Sequence, residues 1–68
     1  MDFKFHNRIR EYRKKRGMTL LQLAGKVEIS GAYLSDIERG NRRGSSATIG
    51  RIAEALGVNP EDLLKKAG

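Results

Sequence analysis

The chain contains no cysteine. Neither a disulfide nor a thiolate metal site can form, which suits a reducing cytosol. The single histidine, His6, has no second histidine and no carboxylate at ligand spacing, so it reads as an exposed or half-packed side chain rather than a metal ligand or base. No apolar run approaches the roughly 18 residues of a membrane span. The N-terminus lacks the apolar segment of a signal peptide, and a cytoplasmic location is the expectation. Acidic residues are also scarce: 8 Asp and Glu face 14 Lys and Arg, a formal net charge of +6 in 68 residues. That excess attracts polyanions over long range, chiefly nucleic acid and less readily an anionic membrane surface. A chain this short holds one small domain, residues 1–68, whose core supplies only about 3–5 kcal/mol. With no cross-link to help, helix packing or dimerisation must supply the rest. No internal repeat, linker or low-complexity segment is visible.

What is present is concentrated between Thr19 and Gly40, TLLQLAGKVEISGAYLSDIERG. Thr19 followed by Gln22 is a capping box, placing a helix start at Thr19 or Leu20. Leu23, Ala24 and Val27 make a narrow apolar stripe in which the small Ala24 admits a neighbouring backbone. The pattern breaks at Glu28 and Ile29. Ser30 then caps a second run with Tyr33, Leu34 and Ile37 inward or sideways and Ala32, Ser35, Asp36 and Arg39 outward, and Gly40 ends it as a C′ residue. Two short helices joined by a turn of about three or four residues describe a helix-turn-helix unit over about 19–40. The small outer residues Gly31, Ala32 and Ser35 suit a major groove about 12 Å wide.

These residues resemble the phage-repressor/Cro, or Xre-like, family of helix-turn-helix domains. The match runs through Arg13, Gly17, Thr19, Leu23-Ala24, Ile29-Ser30, Tyr33-Leu34-Ser35, Ile37-Glu38-Arg39-Gly40 and Arg42, then Ile52-Ala53 and Ala55-Leu56-Gly57-Val58. The resemblance implies an all-α, compact five-helix lambda-repressor-like domain that binds double-stranded DNA, generally as a homodimer. It also implies an ion pair between Arg13 and Glu38 that fixes the first helix against the third. The chain departs from the pattern in having Leu20 and Gly31 where the family often has Gln, Glu28 where it usually has Gly, and Gly44 where it often has Pro. Leu20 therefore offers a phosphate only its backbone N–H.

The other elements follow from spacing. Met1 to Asn7 form a short arm running into the first helix, with Asp2 as its expected cap; Phe5, Ile9 and Tyr12 share one helical face, with Lys4, Arg8, Arg10, Lys14 and Lys15 on the others. Phe3 is left to a core edge or a dimer contact. The run Arg13-Lys14-Lys15-Arg16 lies at the negative end of the helix dipole; Gly17 bends the chain and Met18 turns inward. Ser45 or Ser46 caps a fourth helix whose core stripe is Ile49, Ile52, Ala53 and Leu56, stopped by Gly57. Asn59-Pro60-Glu61-Asp62 starts a short fifth helix with Leu63 and Leu64. By the resemblance, Val58, Leu63 and Leu64 are candidates for a homodimer contact; otherwise they close the core.

The expected base readers are Gly31, Ala32, Ser35 and Asp36. Ala32 can touch a thymine methyl, Ser35 can bond several base edges, and Asp36 can accept from a cytosine amine or else serve as an ordinary helix carboxylate. Expected phosphate contacts are Thr19, Leu20, Tyr33, Arg39, Asn41, Arg42 and Arg43, with Tyr33 equally suited to packing. The function expected is a sequence-specific transcriptional regulator, a repressor acting by occupancy at the nucleoid, with no cofactor, metal or small-molecule ligand. Ser35, His6 and Asp36 share no surface in the implied fold, so no catalytic grouping can be assembled. The alternative is a protein-interaction or antitoxin-like module on the same fold, for which the outward Leu21 and the part-buried Leu20 would form a binding patch.

Overall fold

Three of the helices begin where a hydroxyl meets free backbone donors. Thr19 Oγ1 accepts from the Gln22 N–H at 3.1 Å and Gln22 Oε1 from the Thr19 N–H at 2.8 Å, closing the capping box reciprocally. Ser30 Oγ accepts from the Tyr33 N–H at 3.0 Å, and Ser45 Oγ, rather than that of Ser46, from the Thr48 N–H at 3.1 Å. The computed structural model describes residues 4–64, and its elements are α1 (Ile9–Lys15), α2 (Leu20–Val27), α3 (Gly31–Glu38), α4 (Ser46–Leu56) and α5 (Pro60–Leu64). This is the all-α, five-helix arrangement expected from the sequence.

Each helix contributes one apolar stripe to a shared core: Ile9 from α1, Leu23, Ala24 and Val27 from α2, Leu34 and Ile37 from α3, the Ile49–Leu56 stripe from α4, and Leu63 from α5. Ala24, 3% exposed, lies where α2 packs against both α3 and α4. Burying a Leu or Ile side chain is worth about 1.5–3 kcal/mol, so these eleven side chains are the main stabilising term in so small a chain.

The corner between α2 and α3 is held by backbone geometry. Glu28 takes the left-handed conformation with φ 63°, the position where the family usually has Gly, and the Ile29 N–H reaches back to Ala24 O at 3.0 Å. A side chain in that conformation costs roughly 1–2 kcal/mol. The Glu28 carboxylate is exposed and meets Arg51 of α4 at 3.1 Å.

Helix α1 starts at Ile9, after the arm, as expected, but Phe5, which periodicity had placed on the helix face, belongs to that arm; Asp2 and Phe3 lie outside the described residues. The reason is Asn7. Its amide donates to Phe5 O at 2.9 Å and to Ile37 O at 2.8 Å, while its Oδ1 accepts from the Ile9 N–H at 3.2 Å. One side chain thus meets the first N–H of α1, whose N-cap Arg8 supplies no side-chain bond, and ties the arm to the end of α3. The Phe5 N–H completes the tie by donating to Gly40 O at 2.9 Å.

Of the three candidates for a dimer contact, one needs correction. Leu63 is fully buried on α5, which packs against α4, and its carbonyl accepts from the Arg8 N–H at 2.7 Å, so it closes the core, the other reading its apolar character allowed. Val58 is half-buried against the core, and Leu64 remains 44% exposed.

Candidate nucleic-acid interface

The geometry of α3 depends on one ion pair. Arg13 Nε and one terminal nitrogen donate to the two Glu38 oxygens at 2.8 and 3.1 Å, a bidentate fork, and the other terminal nitrogen donates to Met18 O at 2.9 Å. The side chains are 11% and 5% exposed. Glu38 raises the Arg13 guanidinium further above its ordinary pKa by hydrogen bonding, against the opposing effect of burial. The pair clamps α1 to the end of α3 and sets the angle at which α3 is presented.

On the outer side of α3, Ala32 is exposed and Gly31, Ser35 and Asp36 are half-exposed, so all four expected base readers lie on the accessible face. The Asp36 carboxylate is already engaged: Arg39 donates to one oxygen at 2.9 Å and Arg42 lies 3.7 Å from the other. Its backbone carbonyl accepts the N–H groups of Asn41 and Arg42 at 2.9 and 3.3 Å, which folds the basic loop back over the end of the helix. Asp36, itself one of the four expected readers, thereby also arranges the loop cations.

The loop cations are supported from below. Arg42 lies over the Tyr33 ring with 5.7 Å to its centre, and Arg43 over the Phe5 ring at the same distance. Tyr33 packs against the core and carries Arg42 at once. Lys4 Nζ donates to Asn41 Oδ1 at 3.2 Å, bringing a further cation to the loop. Periodicity puts Lys4 on an outer helical face; it lies instead on the arm, which the Asn7 contacts hold against the end of α3.

At the other edge, the capping box consumes the Thr19 and Gln22 N–H groups and leaves those of Leu20 and Leu21 unpaired at the start of α2. The Thr19 hydroxyl accepts in the box and retains its own proton for donation. Arg10, which the sequence placed on a solvated face, borders a cleft with Leu20, Ser35 and Arg39 and has no polar partner among the described residues. Arg39 and Arg42 thus lie against Asp36, Arg10 borders the same cleft as Ser35, and Lys4 joins the loop through Asn41, while the start of α2 offers its free N–H groups. Such a frame suits the two phosphate strands bordering a groove.

The comparisons agree with this arrangement. The helix-turn-helix family profile matches residues 9–63. The transcriptional regulator DdrOP3 of Deinococcus deserti is 42% identical over 62 residues, which are 91% of this chain and 48% of that protein. This chain thus spans about half the length of that relative. The control protein C.BamHI of Bacillus amyloliquefaciens is 43% identical over 61 residues, 88% of this chain and 75% of its own length. The biofilm master regulator SinR of Bacillus subtilis, solved in complex with DNA, superposes with a TM-score of 0.80 at 36% identity, over 85% of this chain and 94% of that one. With its capping box, its tight corner and its Arg13–Glu38 clamp all in place, the chain belongs to the Xre-like helix-turn-helix family of DNA-binding regulators.

Proposed function

We propose that this protein is a sequence-specific transcriptional regulator that represses by occupying its operator, at the nucleoid in the cytoplasm. Helix α3 enters the major groove with Gly31, Ala32, Ser35 and Asp36 at the bases. Arg39, Asn41, Arg42 and Arg43 hold one phosphate strand, and Thr19 with the N–H of Leu20 holds the other. The observation that carries this reading is the small-residue face of α3 framed by cations on one side and by open helix donors on the other. The likeness to SinR in its DNA complex supports it.

The active form is a homodimer in which Leu64 of α5 and the exposed part of Val58, in the turn before it, meet their counterparts. Two-fold symmetry then calls for an inverted repeat with half-sites about 10 base pairs apart, centre to centre.

Selection from a random duplex library tests the proposal. The recovered pool should converge on an inverted repeat. Arg42→Ala should weaken binding to every sequence alike and reduce the slope of log K against log salt by about one. A pool that stays random, with one shallow salt slope for all sequences, would refute specific regulation and favour the protein-interaction module.

A further inference from the structure

We propose that Leu21 is a base-reading residue, an apolar contact to a thymine methyl at the outer end of each half-site, and that Gly31 is required to seat it there. This rests on the reading of the chain as a sequence-specific DNA binder and assigns to it a reader outside α3.

Leu21 is 73% exposed, the most exposed large apolar side chain among the described residues. An isolated exposed leucine means little by itself. Its surroundings give this one a role. The side chain lies across the first residue of α3: a β-carbon on Gly31 would stand 2.8 Å from Leu21 Cδ2, closer than such atoms approach. The leucine therefore occupies the space that a side chain at position 31 would fill, against the first residue of α3, whose neighbour Ala32 carries an exposed methyl.

The backbone points the same way. The Leu21 N–H is one of the two donors at the start of α2 that the capping box leaves open. A phosphate bound there brings the neighbouring nucleotides up against the leucine. Among the base-pair features that line a major groove, the one suited to an aliphatic side chain is the thymine C5-methyl; the rest are hydrogen-bond donors and acceptors that a leucine would desolvate without satisfying. Leu21 thus favours thymine and disfavours the other bases at its position.

The test uses the duplex recovered by selection, with each thymine replaced in turn by uracil, which removes only the methyl group. The wild-type chain should lose about fourfold in affinity at one outer thymine, the effect of one buried methyl group. Leu21→Ala should bind that duplex and its uracil form equally while keeping the wild-type salt slope. Gly31→Ala, which displaces the end of the leucine side chain, should reduce discrimination at the same position and no other. Because Leu21 is exposed, its variant should melt with the wild type, which separates lost reading from lost folding. Uracil sensitivity unchanged in Leu21→Ala, or absent from the wild type, would overturn the inference and leave the proposed function standing. A library that yields no enriched duplex would overturn both.

Discussion

Removing the arginine of the Arg13–Glu38 pair should cost this domain most of its stability. The guanidinium makes three hydrogen bonds, two to Glu38 and one to Met18 O, and neither side chain has more than 11% of its surface in solvent. Arg13→Ala would leave a carboxylate buried against α1 with its fork of donors gone, a loss of about 3–5 kcal/mol. A core of this size supplies a net stability of about the same magnitude, so the variant should be largely unfolded at 25 °C. Lys14→Ala, one residue along and exposed, should change stability by no more than about 0.5 kcal/mol. The joint replacement Arg13→Met with Glu38→Leu removes both charges together and should recover most of the loss, because the desolvation penalty disappears with the pair. Urea unfolding followed by far-UV circular dichroism gives these stabilities and, with Arg13→Met and Glu38→Leu also made singly, the coupling between the two positions. The reasoning fails if Arg13→Ala and Lys14→Ala unfold at the same urea concentration, or if the double replacement is as damaging as the two single losses added.

Three further predictions test the turns and the surface. At Gly40, with φ 81° and a β-carbon position only 3.0 Å from Phe5 O, alanine should cost about 2–4 kcal/mol; at Gly57, with φ 73° and open space, it should cost about 1–2 kcal/mol, and equal losses in thermal melts would contradict the close approach of the arm. Glu28→Gly should stabilise by about 0.5–1 kcal/mol, since relief of the left-handed strain outweighs an exposed ion pair to Arg51, and a lower melting temperature would count against that balance. The third concerns acid. Hydrogen bonding from Arg8 first, and from Lys15, holds the Glu11 carboxyl down at about 2 against an ordinary 4.5. A carboxylate depressed on folding stabilises above its unfolded pKa and loses that contribution as pH falls, here between about pH 4.5 and 2. Glu11 is part-exposed, so the effect is screened and small; Glu11→Gln should flatten the pH dependence of the melting temperature in that window, and an unchanged profile would refute the assignment.

The helix-turn-helix unit and the outward face of its second helix were legible in the order of residues, because their causes are local. A threonine three residues before a glutamine, serines before apolar runs and a glycine after one determine where a helix starts and stops within a few residues. The four-residue spacing of core side chains likewise determines which face is left outward. That is why Gly31, Ala32, Ser35 and Asp36 came out on the accessible side of α3. The Arg13–Glu38 contact joins residues 25 apart and reached the sequence reading through family resemblance, since no spacing rule spans that distance.

Tertiary structure decided what depended on distant partners. Phe5 fits a helical stripe on periodicity, yet Asn7 finds Ile37 O across the fold, ends the helix early and brings Lys4 to the loop. Leu63 carries the same apolar code whether it faces a partner or the core, and only the packing of α5 against α4 buries it. Asp36 reads as an outward carboxylate within reach of Arg39 three residues on, but only the folded loop brings Arg42 to it. Gly31 reads as a missing side chain until Leu21 of the preceding helix is found lying against it. Local hydrogen bonds and helical periodicity act over a few residues and are written along the chain, whereas arm, loop and interface are settled by three-dimensional contacts that no stretch of sequence contains.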